Sequence, residues 1–319
     1  MICPHCSTSN PDAAAACSEC GEDLLARSPT LAAPPESQRG ISAWQRHSRE
    51  SRQLPAGFEI GSRYRVVSFL GQGGMGAVYR VHDSELNRDV ALKMIRPELA
   101  DPNVLERFKR EIQLSSIVTH RNVLRVYDLG ETDGVKYLTM QFVEGEDLST
   151  IIRRDGPLPV DRAVNIFRQI CEGLWAAHEQ GVLHRDLKPA NVMIGPDDHV
   201  YLTDFGLART SDQPGLTASG AIVGTPDYMS PEQVKALPLD ARSDIYSLGV
   251  MFFQLLTRDV PFHGRSTYEI MIERVQHEAP RISRVNPRVP AKIAHVVERC
   301  LAMHPENRYQ SVPEILSDL

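Results

Sequence analysis

The sequence predicts an α+β fold for most of the chain, on two observations. Three short segments rich in β-branched and aromatic residues lie close together between residues 64 and 95, separated by turn-forming stretches such as LNRD. Segments that resemble helices follow at 104–116 and 242–256. Strands followed by helices are typical of an α+β domain. A third observation, four cysteines within the first 25 residues, predicts a separate small module in front of this domain.

Length and composition restrict the class of protein. The chain has 319 residues, of which 42% are hydrophobic and 24% charged, so its composition is neither disordered nor fibrous. It carries 35 Lys and Arg against 41 Asp and Glu, a formal charge of −6, which does not favour a nucleic-acid partner. No run of about 18 apolar residues occurs, and the N-terminus lacks a secretory signal. We therefore expect no membrane segment in this chain and a reducing, cytoplasmic location.

Composition changes twice along the chain and predicts three parts. Residues 1–25 form the cysteine module, and residues 26–57 are rich in Ser, Pro, Ala and Arg with little apolar periodicity. Residues 58–319 form the large domain. Within the middle part, the spacing of Arg46, Arg49 and Arg52 leaves open a short basic helix. The composition favours a flexible linker instead.

The cysteine module has the spacing of a metal site. Cys3 and Cys6 form one C-x-x-C pair, and Cys17 and Cys20 form a second. Four thiolates at this spacing can complete a tetrahedral zinc site. A pair of disulfides is the alternative, which a reducing compartment disfavours; His5 is an alternative ligand. The module resembles short zinc ribbons, which implies a structural zinc ion.

The stretch GQGGMGAV predicts a nucleotide site. Gly71, Gly73 and Gly76 fit the pattern G-x-G-x-x-G, which occurs in dinucleotide-binding folds, in glycine-rich lids over phosphates and in plain turns. Here the strand-like segments YRVVSFLG and GAVYRVHD flank the glycines, which predicts a hairpin, whereas a dinucleotide site needs a helix after them. A lid over phosphates is therefore favoured, with Val78 offering an apolar surface to a base.

Further candidate residues follow in order along the chain. In VALK, strand alternation places Ala91 and Lys93 on one face, and Glu111 of the helical stretch VLERFKREIQLSS is available to pair with the lysine. HRDLKPAN places a cation, a carboxylate and an amide within eight residues of one loop. LTDFGLA and GTPDYMSPEQ come after it.

These motifs, in this order and spacing, resemble the protein kinase family, and among its members the eukaryotic-like serine/threonine kinases of bacteria. The resemblance covers about residues 58–319. It implies a two-lobed protein kinase fold, with a small antiparallel-sheet lobe that includes one helix (about 58–140), a larger helical lobe (about 144–319) and ATP between them. It also implies ATP- and Mg²⁺-dependent phosphorylation of Ser and Thr in proteins, in signalling, with Mn²⁺ as an alternative cation and activation by autophosphorylation.

The resemblance assigns roles residue by residue. Lys93 would hold the α and β phosphates and Glu111 would hold Lys93, while Asp186 would orient the substrate hydroxyl and accept its proton. Lys188 would steady the γ-phosphoryl, Asn191 and Asp204 would bind Mg²⁺, and Met140 would lie behind the base. The residues expected to contact ATP are Leu70, Gly71, Gln72, Gly73, Gly74, Met75, Gly76, Ala77, Val78, Ala91, Lys93, Gln141, Val143, Asp147 and Met193.

Regulatory and structural roles are implied in the same way. A phosphate on Thr217 or Ser219, with Thr210 and Ser211 as second choices, would neutralise Arg185. The resemblance gives structural roles to Asp244, as a brace for the catalytic-loop backbone, and to Arg308, as the partner of Glu232. It also places His184 behind Phe205. Cys171 and Cys300 are expected to be buried thiols.

Two other classes of function remain as alternatives. A pseudokinase is disfavoured because Lys93, Asp186 and Asp204 are all present. A nucleic-acid binder with a kinase domain attached is disfavoured because residues 1–25 hold four acidic residues and no lysine. We expect protein substrates and no nucleic acid. Whether the chain forms a homodimer through the kinase domain, and what binds the cysteine module, is left open by the sequence.

Overall fold

The computed structural model describes residues 53–73, 76–95, 112, 117–205 and 226–319, together with Thr8 and Ser18. The four cysteines of the N-terminal module, the linker, most of the predicted helix 104–116 and the phosphorylation candidates lie outside the described residues. The elements given below lie within one of the two units into which the chain divides, His47–Leu319.

The N-terminal part of this unit is an antiparallel sheet. Its order is β1-β2-β3-β4-β6-β5, and its strands are β1 Glu59–Ile60, β2 Tyr64–Gly73, β3 Gly76–Asp83, β4 Arg88–Met94, β5 Val126–Thr132 and β6 Val135–Gln141. The three strands predicted from the sequence are present. The last of them begins one residue before the predicted segment and ends one residue earlier.

Strand β4 is central in this sheet, between β3 and β6. The last five residues of β4 are all buried, so both faces of this part of the strand are covered. On one side, Ala91 packs with Ile112, Leu138 and Met140. A strand covered on both faces loses the alternation of exposed and buried residues that a half-exposed strand has.

A second sheet has three strands and positions the loops before β8 and after β9. Strands β7 Glu146–Asp147, β8 Val192–Ile194 and β9 Val200–Leu202 pair antiparallel in that order. A parallel bridge joins Val123 to Leu202. The segments before β8 and after β9 are thereby held next to each other.

The C-terminal part is helical. Its helices are α1 Leu148–Asp155, α2 Val160–Glu179, α3 Pro231–Val234, α4 Ala241–Thr257, α5 Thr267–Gln276, α6 Ile282–Val285, α7 Ala291–Cys300 and α8 Val312–Asp318. Helices α2 and α4 meet in the core, where the rings of Phe167 and Phe252 stack with centroids 3.8 Å apart. Cys171 and Cys300 are fully buried there, as predicted. None of the helices in the described ranges has the length and apolarity needed to cross a bilayer.

This architecture confirms the two-lobed fold predicted from the sequence, an antiparallel-sheet lobe followed by a helical lobe. The hydrophobic core of the helical lobe extends to Leu187, Val192 and Phe205, so the loops around β8 and β9 rest on it. A loop supported by a packed core can hold polar side chains in fixed positions.

Candidate active site

The glycine-rich segment forms the predicted hairpin. Strands β2 and β3 pair up to Gly73 and Gly76 at its tip, and Gly74 and Met75 lie outside the described residues. Gly76 has a φ of +152°, and a Cβ there would lie 1.6 Å from the carbonyl oxygen of Met94. Only glycine fits this position. At Gly71 a Cβ would meet no atom within 4 Å, so the backbone of β2 borders open space.

Lys93 projects from β4 and pairs with Asp204. Its Nζ donates to Asp204 Oδ1 at 2.8 Å, and Lys93 is 8% exposed. The sequence predicted Glu111 as the partner of Lys93, and that residue lies outside the described residues. Burial works to raise the pKa of Asp204, but the charge of Lys93 and its hydrogen bond outweigh this effect and hold the pKa below its usual value.

The catalytic-loop candidates form a second cluster. Lys188 Nζ donates to Asp186 Oδ2 at 2.7 Å, and Asn191 Nδ2 donates to the Asp186 carbonyl at 2.8 Å. The N–H of Thr203 donates to the Asn191 carbonyl at 2.9 Å, which places Asp204 next to this cluster. The structure therefore brings together five of the predicted residues: Lys93, Asp186, Lys188, Asn191 and Asp204.

These residues fit a nucleotide with a magnesium ion. The Asn191 amide nitrogen is used by Asp186, which leaves its amide oxygen available to a cation. The Asp204 carboxylate supplies a second hard oxygen, the donor type that Mg²⁺ prefers. The two lysines supply the positive charge that phosphates require. In the structure, Lys93 is paired with the carboxylate of Asp204, and Lys188 with that of Asp186.

The region expected to hold the base is lined by apolar side chains. Met140 is buried and borders a cavity shared with Ile112, Leu138 and Phe205. Ala91 pairs with Met140 across β4 and β6, and Val78 pairs with Lys93 across β3 and β4. The position of Met140 behind the base stays a prediction.

Other residues predicted to contact ATP also have structural roles. The N–H of Gln141 donates to the Arg125 carbonyl at 2.9 Å, so this group is not available to a base. Asp147 is the N-cap of α1, where its carboxylate accepts from the Thr150 N–H at 3.0 Å. Burial works to raise the pKa of Asp147, but the hydrogen bonds from Ser149 and Thr150 lower it overall. Asp147 pairs with Met193 across β7 and β8.

A buried carboxylate fixes the backbone before Asp186. Asp244 on α4 accepts from the N–H groups of His184 and Arg185, each at 2.8 Å, as the sequence predicted. It also pairs with His178 Nε2 at 2.8 Å. Burial works to raise the pKa of Asp244, but His178 outweighs it and lowers the pKa. Sequence reasoning missed His178, because nothing in the last turn of α2 indicates a partner 66 residues away.

His184 packs behind Phe205, as predicted. The ring centroids lie 4.6 Å apart, and His184 Nε2 donates to the Thr203 carbonyl at 3.0 Å. Burial lowers the pKa of His184, so the ring is neutral at pH 7. The side chain therefore links the catalytic loop to the segment that carries Asp204.

A bidentate ion pair joins the end of the site to the helical core. Arg308 donates to both oxygens of Glu232, at 2.7 and 2.9 Å, and both side chains are buried. Ser243 Oγ also donates to Glu232, at 2.7 Å. This is the pair predicted from the sequence. Its role is structural, because it anchors the start of α3.

The comparisons with known proteins agree with this geometry. A family model described as the protein kinase domain matches residues 64–318. The chain is 38% identical over 266 residues to the serine/threonine-protein kinase PknB of Mycobacterium leprae. It is 37% identical over 264 residues to the serine/threonine-protein kinase PrkC of Bacillus subtilis. Each of these matches covers 82% of the chain.

The match to PknB covers 43% of that relative and the match to PrkC covers 41%, so the chain spans less than half the length of each. Among solved structures, the crystal structure of the M. tuberculosis PknI kinase domain is 30% identical, with a TM-score of 0.66. That match covers 83% of the chain and 97% of the PknI domain. The similarity therefore lies in the catalytic domain.

Proposed function

The chain belongs to the protein kinase family, and from this premise we propose that it transfers the γ-phosphoryl group of ATP to serine and threonine hydroxyls of protein substrates. The observation that carries the proposal is the convergence of Lys93 and Asp204 with the cluster of Asp186, Lys188 and Asn191. The names of the relatives support serine and threonine as the acceptors.

Phosphoryl transfer depends mainly on the position of the reacting groups and on neutralisation of the phosphate charge. Phosphoryl transfer needs an acceptor hydroxyl in line with the γ-phosphoryl, and compensation for the charge on the phosphate oxygens. A bound Mg²⁺ neutralises part of that charge. We propose that Asp186 orients the acceptor hydroxyl and takes its proton, and that Lys188 contacts the transferred group. The Lys188 Nζ lies 2.7 Å from Asp186 Oδ2, which supports this proposal.

Binding of the nucleotide changes the partner of Lys93. In the structure this lysine is neutralised by Asp204, and ATP phosphates offer it a second anionic partner. Asp204 and the amide oxygen of Asn191 would hold the magnesium ion. We propose that Glu111 takes part in holding Lys93, and that the glycine hairpin covers the phosphates.

The experiment that tests this function is incubation of the purified chain with ATP, Mg²⁺ and a Ser/Thr peptide. Phosphate should appear on serine and threonine and should depend on the metal. Phosphate on tyrosine alone would contradict the assignment of the acceptor, and no transfer at all would contradict the activity.

We propose that phosphorylation of Thr217 or Ser219 raises this activity. A phosphate at either position would pair with Arg185, directly before Asp186, through charge-assisted hydrogen bonds. Changing both residues to alanine should lower peptide phosphorylation by about tenfold, the effect of losing one such bond. A separate variant with Thr210 and Ser211 changed to alanine shows whether these second-choice positions carry the phosphate instead. Equal activity of the wild type and the Thr217/Ser219 variant after preincubation with ATP would refute the proposal.

We propose that Cys3, Cys6, Cys17 and Cys20 hold a structural zinc ion. Segments this short rarely fold without a metal or a disulfide. Metal analysis of the purified chain should give close to one zinc per chain, and changing Cys17 and Cys20 to serine should release it without loss of peptide phosphorylation. A metal-free chain with disulfides between these cysteines would rule the zinc site out. So would a zinc content that the serine changes leave unaltered.

A cytoplasmic location remains a prediction from the sequence, and the partner of the cysteine module and homodimerisation remain open. Size-exclusion chromatography with light scattering would decide the oligomeric state.

A further inference from the structure

Gln233 connects the loop that carries Asp186 to the segment that precedes α3. It lies on α3, and it is 7% exposed. Its Nε2 donates to the carbonyl of Arg185 at 2.7 Å, and its Oε1 accepts from the N–H of Ser230 at 2.8 Å. One amide therefore joins the backbone next to Asp186 to the segment that precedes α3.

Both atoms of this amide are needed, and its orientation is fixed. The Ser230 N–H requires an acceptor and the Arg185 carbonyl requires a donor, so the oxygen and the nitrogen cannot be exchanged. Ser230 Oγ in turn accepts from the N–H of Gln233 at 3.3 Å, which completes a capping box at the start of α3. The cap holds the side chain in place, and the nitrogen is left to reach Arg185.

The contact acts on a strained part of the backbone. Arg185 has a φ of +64°, the left-handed region that side chains other than glycine rarely adopt. Its N–H is held by Asp244 and its carbonyl by Gln233. The surrounding structure must over-determine such a conformation for it to persist, and these two side chains do so from different elements.

The carbonyl of Arg185 belongs to the same planar peptide group as the N–H of Asp186. That N–H donates to the His184 carbonyl at 2.8 Å. The peptide is therefore fixed on its nitrogen side by the loop itself and on its oxygen side by Gln233. Its plane sets the direction in which the Asp186 side chain leaves the backbone.

The segment on the other side of Gln233 is also held rigidly. Arg274, which is fully buried, donates to the carbonyls of Pro226 and Asp227, the second at 2.6 Å. Ser247 Oγ donates to the Tyr228 carbonyl at 2.7 Å. Residues 226–230 thus form a fixed platform on α4 and α5, to which Gln233 ties the catalytic loop.

We propose that Gln233 is a positioning residue for the phosphoacceptor side of the reaction. By orienting the peptide between Arg185 and Asp186, it fixes the position of the Asp186 carboxylate relative to residues 226–230. This inference rests on the proposed function, because it assumes that Asp186 receives the acceptor proton. Gln233 itself contacts neither ATP nor the acceptor.

The test uses Q233E and Q233M in the full chain with a Ser/Thr peptide. Glutamate satisfies the same capping box but places an oxygen against the Arg185 carbonyl, and methionine has a similar shape without either hydrogen bond. Both variants should lower kcat by about 10- to 100-fold, the effect of a small misplacement of a reacting group. The KM for ATP should stay unchanged. The carboxylate of Q233E would be buried against a carbonyl oxygen, so this variant should melt below the wild type, and kcat is measured below that melting temperature.

The matched control is Q169M. Gln169 is also a glutamine of the helical lobe with three hydrogen bonds, from Asn122 and the Val200 N–H and to the Asp198 carbonyl. Its loss should lower the melting temperature and leave kcat unchanged below that temperature. An equal fall of kcat in Q169M would show a general effect of stability and would overturn the proposal.

The remaining outcomes of this test also decide whether the inference holds. Wild-type kcat in Q233E or in Q233M would overturn the inference, as would failure of both variants to fold, since the amide would then act on stability alone. A wild-type chain without phosphoryl transfer would overturn the proposed function and this inference with it. If the wild type is active and both variants match its kcat, the inference is overturned and the proposed function stands.

Discussion

Replacement of Asp186 by asparagine is expected to lower kcat for peptide phosphorylation by about 10²- to 10⁴-fold, the usual contribution of a positioned general acid or base. Asparagine keeps the size of the side chain and can still accept a hydrogen bond from Lys188 Nζ, which lies 2.7 Å from Asp186 Oδ2 in the wild type. It cannot take the proton of the acceptor hydroxyl. The affinity for ATP should change little, because Lys93 and Asp204 are left in place.

A second aspartate supplies the control for this prediction. Asp259 is exposed, and its carboxylate accepts from the Val260 N–H at 2.9 Å and lies 3.6 Å from His263. D259N should have wild-type kcat. Steady-state kinetics at saturating peptide, together with nucleotide titration, separate loss of chemistry from loss of binding. Equal loss of ATP affinity and kcat in D186N would place Asp186 in nucleotide binding.

Replacement of Arg308 by methionine is expected to lower the free energy of unfolding by about 3–5 kcal/mol, the usual effect of removing one partner of a buried ion pair. The cost arises because Glu232 would remain buried with its charge and without its bidentate partner. Chemical denaturation at pH 7 measures it. Arg154 is more than half exposed in its pairs with Glu146 and Asp155, and R154M should unfold at a denaturant concentration close to the wild type.

The same variant should show a distinct dependence on pH. Burial works to raise the pKa of Glu232, but Arg308 outweighs this and holds it below its usual value. The pair therefore stabilises the wild type above pH of about 4.3, and this stabilisation is lost as the pH falls through the lowered pKa. In R308M the hydrogen bond from Ser243 remains but the charge of Arg308 is lost, so burial raises the pKa of Glu232. This group then favours the folded variant at low pH, and that contribution is lost as the pH rises through the raised pKa. The difference in stability between the two proteins should narrow from pH 7 toward pH 5, and a constant difference would contradict this account.

Local patterns were sufficient to predict the hairpin. The glycines lie between two segments with β-branched and aromatic residues, and the structure pairs these segments antiparallel up to Gly73 and Gly76. The hairpin is predictable because the residues that decide it are neighbours in the sequence. The brace formed by Asp244 was predicted from the family resemblance, because its partners lie 59 to 66 residues away.

Other contacts could not be predicted from the sequence because tertiary structure decides them. Lys93 and Asp204 are 111 residues apart, and the sequence indicated Glu111, not Asp204, as the partner of Lys93. The motif SPEQ contains the signal for a capping box, but not the carbonyl of Arg185 that the amide of Gln233 reaches. Asp147 carried a local signal that was missed: an aspartate directly before a helix is typical of an N-cap.

The central claim is that the cluster of Asp186, Lys188 and Asn191, with Lys93 and Asp204, transfers phosphate to serine and threonine. Mass spectrometry of the wild type and D186N, after each is incubated with ATP, Mg²⁺ and a peptide that contains Ser, Thr and Tyr, tests it most directly. The account predicts phosphoserine and phosphothreonine with the wild type and a loss of about 10²-fold or more with D186N. Equal phosphorylation by the two proteins, or none by the wild type, would contradict it.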